Sequence, residues 1–191
     1  MTALAQSKIG QEFRVTSQDS GSGLAPGQYY AINFPGSSGG NDYRDNIANC
    51  ASAYVRCFDS YSVLPGKKDG PTQQGVNALL GNPPTDTWKS VGQYETPAGL
   101  SDTSKAVVVA PIWDTCGTLG FCPAGNFPSG SNVNLQVIGF AAFFLEGVQG
   151  TDVVARLISL SSCGDMSGGG AGSSDTGGTV LSIPLRLVRT Q

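Results

Sequence analysis

The strongest hydrophobic signals lie in the second half of the chain. Ala106 to Trp113 is apolar and valine-rich, and Leu135 to Leu145 is a longer apolar run. The longer run predicts a central strand that Gly139 bends or bulges. Its rings, Phe140, Phe143 and Phe144, cannot share one face at a period of two, so either both faces are covered or the strand is irregular. Val153 to Leu160 predicts a partner strand after a turn at Gly147 to Gly150. Thr179 to Val188, with Val180, Leu185, Leu187, Val188 and Pro184, reads as an edge strand.

The first half is more punctuated. Phe13 and Val15 alternate with polar neighbours, which suits one short strand. Gln28 to Phe34 has strand composition, and Pro35-Gly36 ends it. From Tyr54 to Tyr61 the pattern has a period of two with aromatics and valine, the signature of a strand or hairpin. Two segments carry a helical period instead. In Asn41 to Asn49, Tyr43 and Ile47 fall on one face, with Asn41 or Asp42 as cap. From Asp69-Gly70-Pro71-Thr72 onward, Val76, Leu79 and Leu80 form a stripe that Gly81 and Pro83-Pro84 terminate. Residues 82 to 105, which include Trp88 and Tyr94, read as a long loop. No internal repeat is visible.

These elements predict an all-β fold, a β-rich sandwich or closed barrel, with one or two short helices and long Gly/Ser/Pro-rich loops. The expected division is a polar N-terminal segment over 1–25, holding at most one strand, and a single β-rich domain over 26–191. A mobile Gly/Ser loop is expected at 164–178. Composition agrees: 27 Gly and 11 Pro in 191 residues argue against a helical bundle. The formal net charge is −3 with 11 scattered Lys+Arg, which argues against nucleic-acid binding. Val137 to Leu145 is far shorter than the ~20 residues of a membrane-spanning helix.

The chain has no histidine. A Ser-His-Asp triad, a Cys-His dyad and an HExxH zinc site are therefore excluded within it. Gly36-Ser37-Ser38-Gly39-Gly40 matches GxSxG in form but lacks the base that motif needs. Asp165 to Asp175 brackets a glycine loop without the ligand spacing of a calcium hand. Lys67-Lys68-Asp69 before a helix start suits a solvated turn or a small anion site. Asp114 and Glu146, both at ends of predicted core strands, are the best candidates for a facing carboxylate pair. Trp88, Tyr94 and Trp113 are candidate binding aromatics. No cofactor is expected, and the close cysteine spacings do not match a CxxC site. Cys50 and Cys57, and Cys116 and Cys122, are either buried thiols or two local disulfides, with Cys163 left over. Disulfides would imply an oxidising compartment.

Several segments in order carry a family resemblance. They are Pro26-Gly27-Gln28-Tyr29-Tyr30, Tyr43-Arg44-Asp45-Asn46-Ile47, and Leu64-Pro65-Gly66-Lys67-Lys68-Asp69-Gly70-Pro71-Thr72-Gln73-Gln74-Gly75-Val76. Two more follow, Val107-Val108-Val109-Ala110-Pro111-Ile112-Trp113-Asp114 and Val137-Ile138-Gly139-Phe140-Ala141-Ala142-Phe143-Phe144-Leu145. Together they resemble the soluble, extracytoplasmic part of Flp/Tad-type (tight adherence) pilus-assembly proteins of the TadE/TadG-like kind, over roughly residues 26 to 160. The resemblance implies a non-enzymatic domain of a bacterial envelope, in the periplasm or at the cell surface, associated with pilus assembly or adhesion. The implied partners are other pilus or envelope proteins, self-association included. An N-terminal membrane anchor is also implied, and this sequence lacks one, so the chain is expected to be the outer domain. The alternatives are a surface carbohydrate-binding module using the three aromatics and a carboxylate-based hydrolase.

Overall fold

The computed structural model describes residues 7–15, 31–32, 34, 39–51, 53–64, 68–114 and 134–163. In chain order the elements are β1 (Glu12–Arg14), α1 (Gly39–Asn49), β2 (Ser60–Ser62), α2 (Asp69–Leu80), β3 (Thr87–Ser90), β4 (Gln93–Thr96), β5 (Gly99–Ser101), β6 (Val107–Asp114), β7 (Asn134–Gln149) and β8 (Asp152–Ser162). The fold is β-rich with two helices. Its strands form a five-stranded and a three-stranded antiparallel sheet, and the described strands do not close into a barrel.

β7 is the hub of the larger sheet and pairs with β8, β6 and β2. Residues from Gly139 to Phe144 pair with β6 and β8 at once, so those two strands occupy opposite edges of β7. Gln136 stands opposite both Asp114 of β6 and Ser60 of β2, which sets β2 and β6 on opposite edges at that level. The turn from β7 to β8 is tighter than the sequence predicts. β7 runs on to Gln149, and Gly150 (φ 64°) with Thr151 makes the corner.

The irregularity expected of β7 is present at two places, where Ile138 is left over opposite Ile112/Trp113 and Glu146 is left over between Leu145 and Gly147. A third slip, at Ala142/Phe143, leaves over Ile158 of β8. The rings divide between the two core clusters. Phe144 lies in one core cluster with Phe143 against it, and Phe140 packs on the other. Gly139 marks a close approach, because a Cβ there would stand 2.5 Å from the Ser161 carbonyl oxygen.

The N-terminal strand belongs to this sheet. β1 pairs with β8, and Arg156 ties it down through Glu12 (3.2 Å), the Gly10 carbonyl (3.2 Å) and Glu146 (2.7 Å). Of the predicted strand over 28–34, Ala31 and Ile32 are described and buried, and Ile32 makes a single bridge to Val63. Most of the strand or hairpin predicted over 54–61 is instead a turn. The Asp59 carboxylate accepts from the Arg56 N–H (2.8 Å), and Phe58 takes a positive φ of 68°. That turn leaves only Ser60–Ser62 as strand.

Both helices form where the apolar period places them. α1 starts at Gly39, so Asn41 and Asp42 lie inside its first turn and do not cap it. α2 crosses α1 at Gly75, where a Cβ would stand 2.7 Å from the Ile47 Cβ and 2.8 Å from the Arg44 carbonyl. α2 buries Val76 and Leu80 against β7 and β8.

The predicted loop over 82–105 is instead the three-stranded meander β3–β4–β5. Gly92 (φ 72°) turns β3 into β4, and Gly99 (φ 107°) opens β5. Buried Asp86 anchors the meander to the start of β6. Its carboxylate accepts from Thr85 (2.9 Å) and Ser104 (2.5 Å), and the Ser104 oxygen accepts the Ala106 N–H. The second predicted disulfide, Cys116–Cys122, the loop at 164–178 and the strand over 179–188 lie outside the described residues, as does the GxSxG match over residues 36–38.

Candidate functional site

A cleft of about 550 Å³ lies between the helix pair and the larger sheet. α2 covers β7 and β8, and the cleft extends along the length of β6 from Val108 to Trp113. Tyr43 and Ile47 of α1, Val76 and Leu79 of α2, and Ala141 and Phe143 of β7 line it further. Its lining is overwhelmingly carbon. The polar groups that reach it are Tyr43, Asn46 and Thr72. The Thr72 hydroxyl donates to the Lys68 carbonyl (2.7 Å) and lies 3.3 Å from the Tyr43 phenol oxygen. Burial pushes the Tyr43 phenol above its ordinary pKa, against a smaller lowering by Thr72.

At the far end of the cleft sits an aromatic group. Tyr61 is buried between Phe34 (centroids 5.5 Å) and Trp113 (5.9 Å), both edge-on. Its hydroxyl donates to the Asp59 carboxylate (3.1 Å), and the Tyr54 carbonyl stands 3.3 Å away. Burial pushes the phenol up to about 12, and the Asp59 charge and hydrogen bond add to the shift. A proton held this firmly is unsuited to acid–base work near neutrality.

The sequence-predicted site residues are dispersed. Tyr94 is only 3% exposed and stacks on Phe144 at 5.2 Å, with Trp88 packed against both rings. Tyr94 is a core residue, and Trp88 is half-buried against the same cluster. Trp113 is half-buried in the second core cluster and lines the cleft. Asp114 and Glu146 are also far apart. Asp114 stands opposite Gln136, ten residues before Glu146 on the same strand. At ~3.3 Å per residue the two lie about 30 Å apart along β7. Glu146 instead holds Arg156. Among the described residues no three His, Cys, Asp or Glu side chains cluster as a metal site, and no helix is long and apolar enough to cross a membrane.

The cysteine pairing differs from the local one expected. Cys57 is disulfide-bonded to Cys163 (Cα–Cα 5.6 Å), so the Cys50–Cys57 pair does not form. The sheet explains the choice. β8 stops pairing at Ser162 opposite Gly139, and the Cys163 N–H donates to the Ile138 carbonyl. The Phe58 N–H donates to the adjacent Val137 carbonyl. β7 thus brings Cys57 and Cys163 side by side. Cys50 sits past the end of α1, in a left-handed conformation (φ 64°).

Sequence reasoning missed the cleft, because its lining comes from both helices and three strands of separate sequence position. The one available signal was β6 itself, an eight-residue apolar strand without a polar face. The chain matches no family model, no curated protein and no solved structure.

Proposed function

We propose that this chain is a non-enzymatic structural and interaction domain of a bacterial cell envelope, acting outside the cytoplasm in Flp/Tad-type pilus assembly or adhesion. The observation that carries the reading is the make-up of the cleft. A carbon-lined space beside a long apolar strand suits the packing of a protein segment. The Cys57–Cys163 disulfide within the chain supports an oxidising compartment. The motif resemblance supplies the pilus association. A carbohydrate-binding role finds less support, since Trp88 and Tyr94 pack inward. The test is deletion of the gene in the bacterium that carries it, with surface pili counted by electron microscopy and adhesion measured. Loss of pili or adhesion, restored by the wild-type gene, is expected. Normal piliation and adhesion in the deletion strain would overturn the reading.

A further inference from the structure

β6 presents the longest unpartnered backbone edge among the described residues. Its inner edge is taken by β7 over its whole length, and no described strand pairs with its outer edge. The strand is Val-Val-Val-Ala-Pro-Ile-Trp-Asp, and residues 108–113 all line the cleft. A long apolar edge of this kind is a template for another strand unless it is covered, although Pro111, whose nitrogen faces this outer edge, removes one ladder donor from it.

The chain itself carries a segment of matching chemistry. Residues 179–188 read Thr-Val-Leu-Ser-Ile-Pro-Leu-Arg-Leu-Val. Leu181, Ile183, Leu185 and Leu187 fall at a period of two, with Ser182, Pro184 and Arg186 between them. This is the pattern of a strand with one apolar face. A proline in such a strand suits an outermost position, where a missing N–H costs no ladder bond.

Chain geometry favours the same match. β6 and β8 are both antiparallel to β7 and therefore run in the same direction. Ser162 stands opposite Gly139, which stands opposite Ile112, so the chain leaves β8 level with the C-terminal end of β6. A segment that starts there and returns along β6 is antiparallel to it. The way from β8 past β7 and β6 is about three strand spacings, or ~15 Å. The Gly/Ser-rich residues 164–178 can span up to ~50 Å.

We propose that residues 179–188 of this same chain add to the outer edge of β6 as an antiparallel strand and lay their leucine and isoleucine side chains in the cleft. The proposal rests on the reading of the cleft as a packing surface and on no pilus role, so the piliation assay and the test below fail independently.

The test is amide hydrogen exchange, read on peptides covering 107–114, in the full chain and in a chain ending at residue 178. Peptides from the β7–β8 hairpin serve as the internal reference. The expected result is slow exchange of 107–114 in a monomeric full chain and at least ~10-fold faster exchange in the shortened one, with the reference unchanged. The full-length double variant Ile183→Asp/Leu185→Asp should show the same acceleration, and it decides the matter if the shortened chain does not fold. Equal exchange of 107–114 in the full chain and in the variants would overturn the proposal. Protection that appears only with dimer formation, followed by light scattering against concentration, would overturn it in favour of a second copy as strand donor.

Discussion

Phe144 is fully buried, with the Tyr94 ring stacked on it at 5.2 Å and Trp88 at 5.6 Å. Its neighbour Phe143 packs against the same cluster but stays half-buried. Truncation should separate the two. Phe144→Ala should cost ~3–5 kcal/mol, the range of fully buried rings, and Phe143→Ala about half of that. Reversible chemical denaturation of both variants checks this, and equal losses would place the two rings in equivalent environments. The sequence shows that the three phenylalanines of this strand cannot share a face, which is a matter of period alone. It does not show which ring is enclosed, because that depends on Tyr94 and Trp88. Those two belong to strands of four residues each. Two turns of alternation are too few to separate a buried aromatic from one on an exposed loop.

The well-predicted elements are those whose burial pattern persists over many residues. β6, β7, β8 and α2 each bury a face against a large neighbour, so the apolar period reports them. The meander β3–β5 is legible only in its turn glycines, because its residues are mostly polar and exposed, and its strands hold together by backbone pairing and by the Lys89–Glu95 ion pair. The segment 54–61 fails for the opposite reason. It alternates like a strand, yet Asp59 accepts the Arg56 N–H and closes a turn within it. Glycine placement in α2 gives a test at this scale. Gly75 sits at the helix crossing, where a Cβ meets Ile47 at 2.7 Å, whereas at Gly70 a Cβ meets nothing within 4 Å. Gly70→Ala should therefore stabilise by up to ~1 kcal/mol through helix propensity. Gly75→Ala should instead destabilise by roughly 1–3 kcal/mol, as overpacking does. Melting curves of the two variants should move in opposite directions, and a shared upward shift would mean that the helices are free to separate at Gly75.

At the scale of the whole molecule, chain-distant contacts decide what local spacing cannot. Cys50 and Cys57 invite pairing because they are near in sequence, but the turn at 57–58 carries Cys57 onto β7, where Phe58 donates to Val137. β8 delivers Cys163 to the next carbonyl along, from 106 residues away. The bond thus fastens the end of the central hairpin to the segment that leads into β2 and α2, and it closes a loop that includes most of the described chain. A loop of that length should stabilise by ~4–5 kcal/mol on the chain-entropy account. Peptide mapping of the unreduced protein should recover the peptide around Cys57 linked to the one around Cys163. The double variant Cys57→Ser/Cys163→Ser should lose several kcal/mol of stability in a denaturant titration while keeping the β-rich circular dichroism of the parent. Recovery of Cys57 linked to Cys50 would reject the register at the 137–139 region of β7, since the same two carbonyls that align Cys57 with Cys163 hold the end of β8 and the approach to β2 in place.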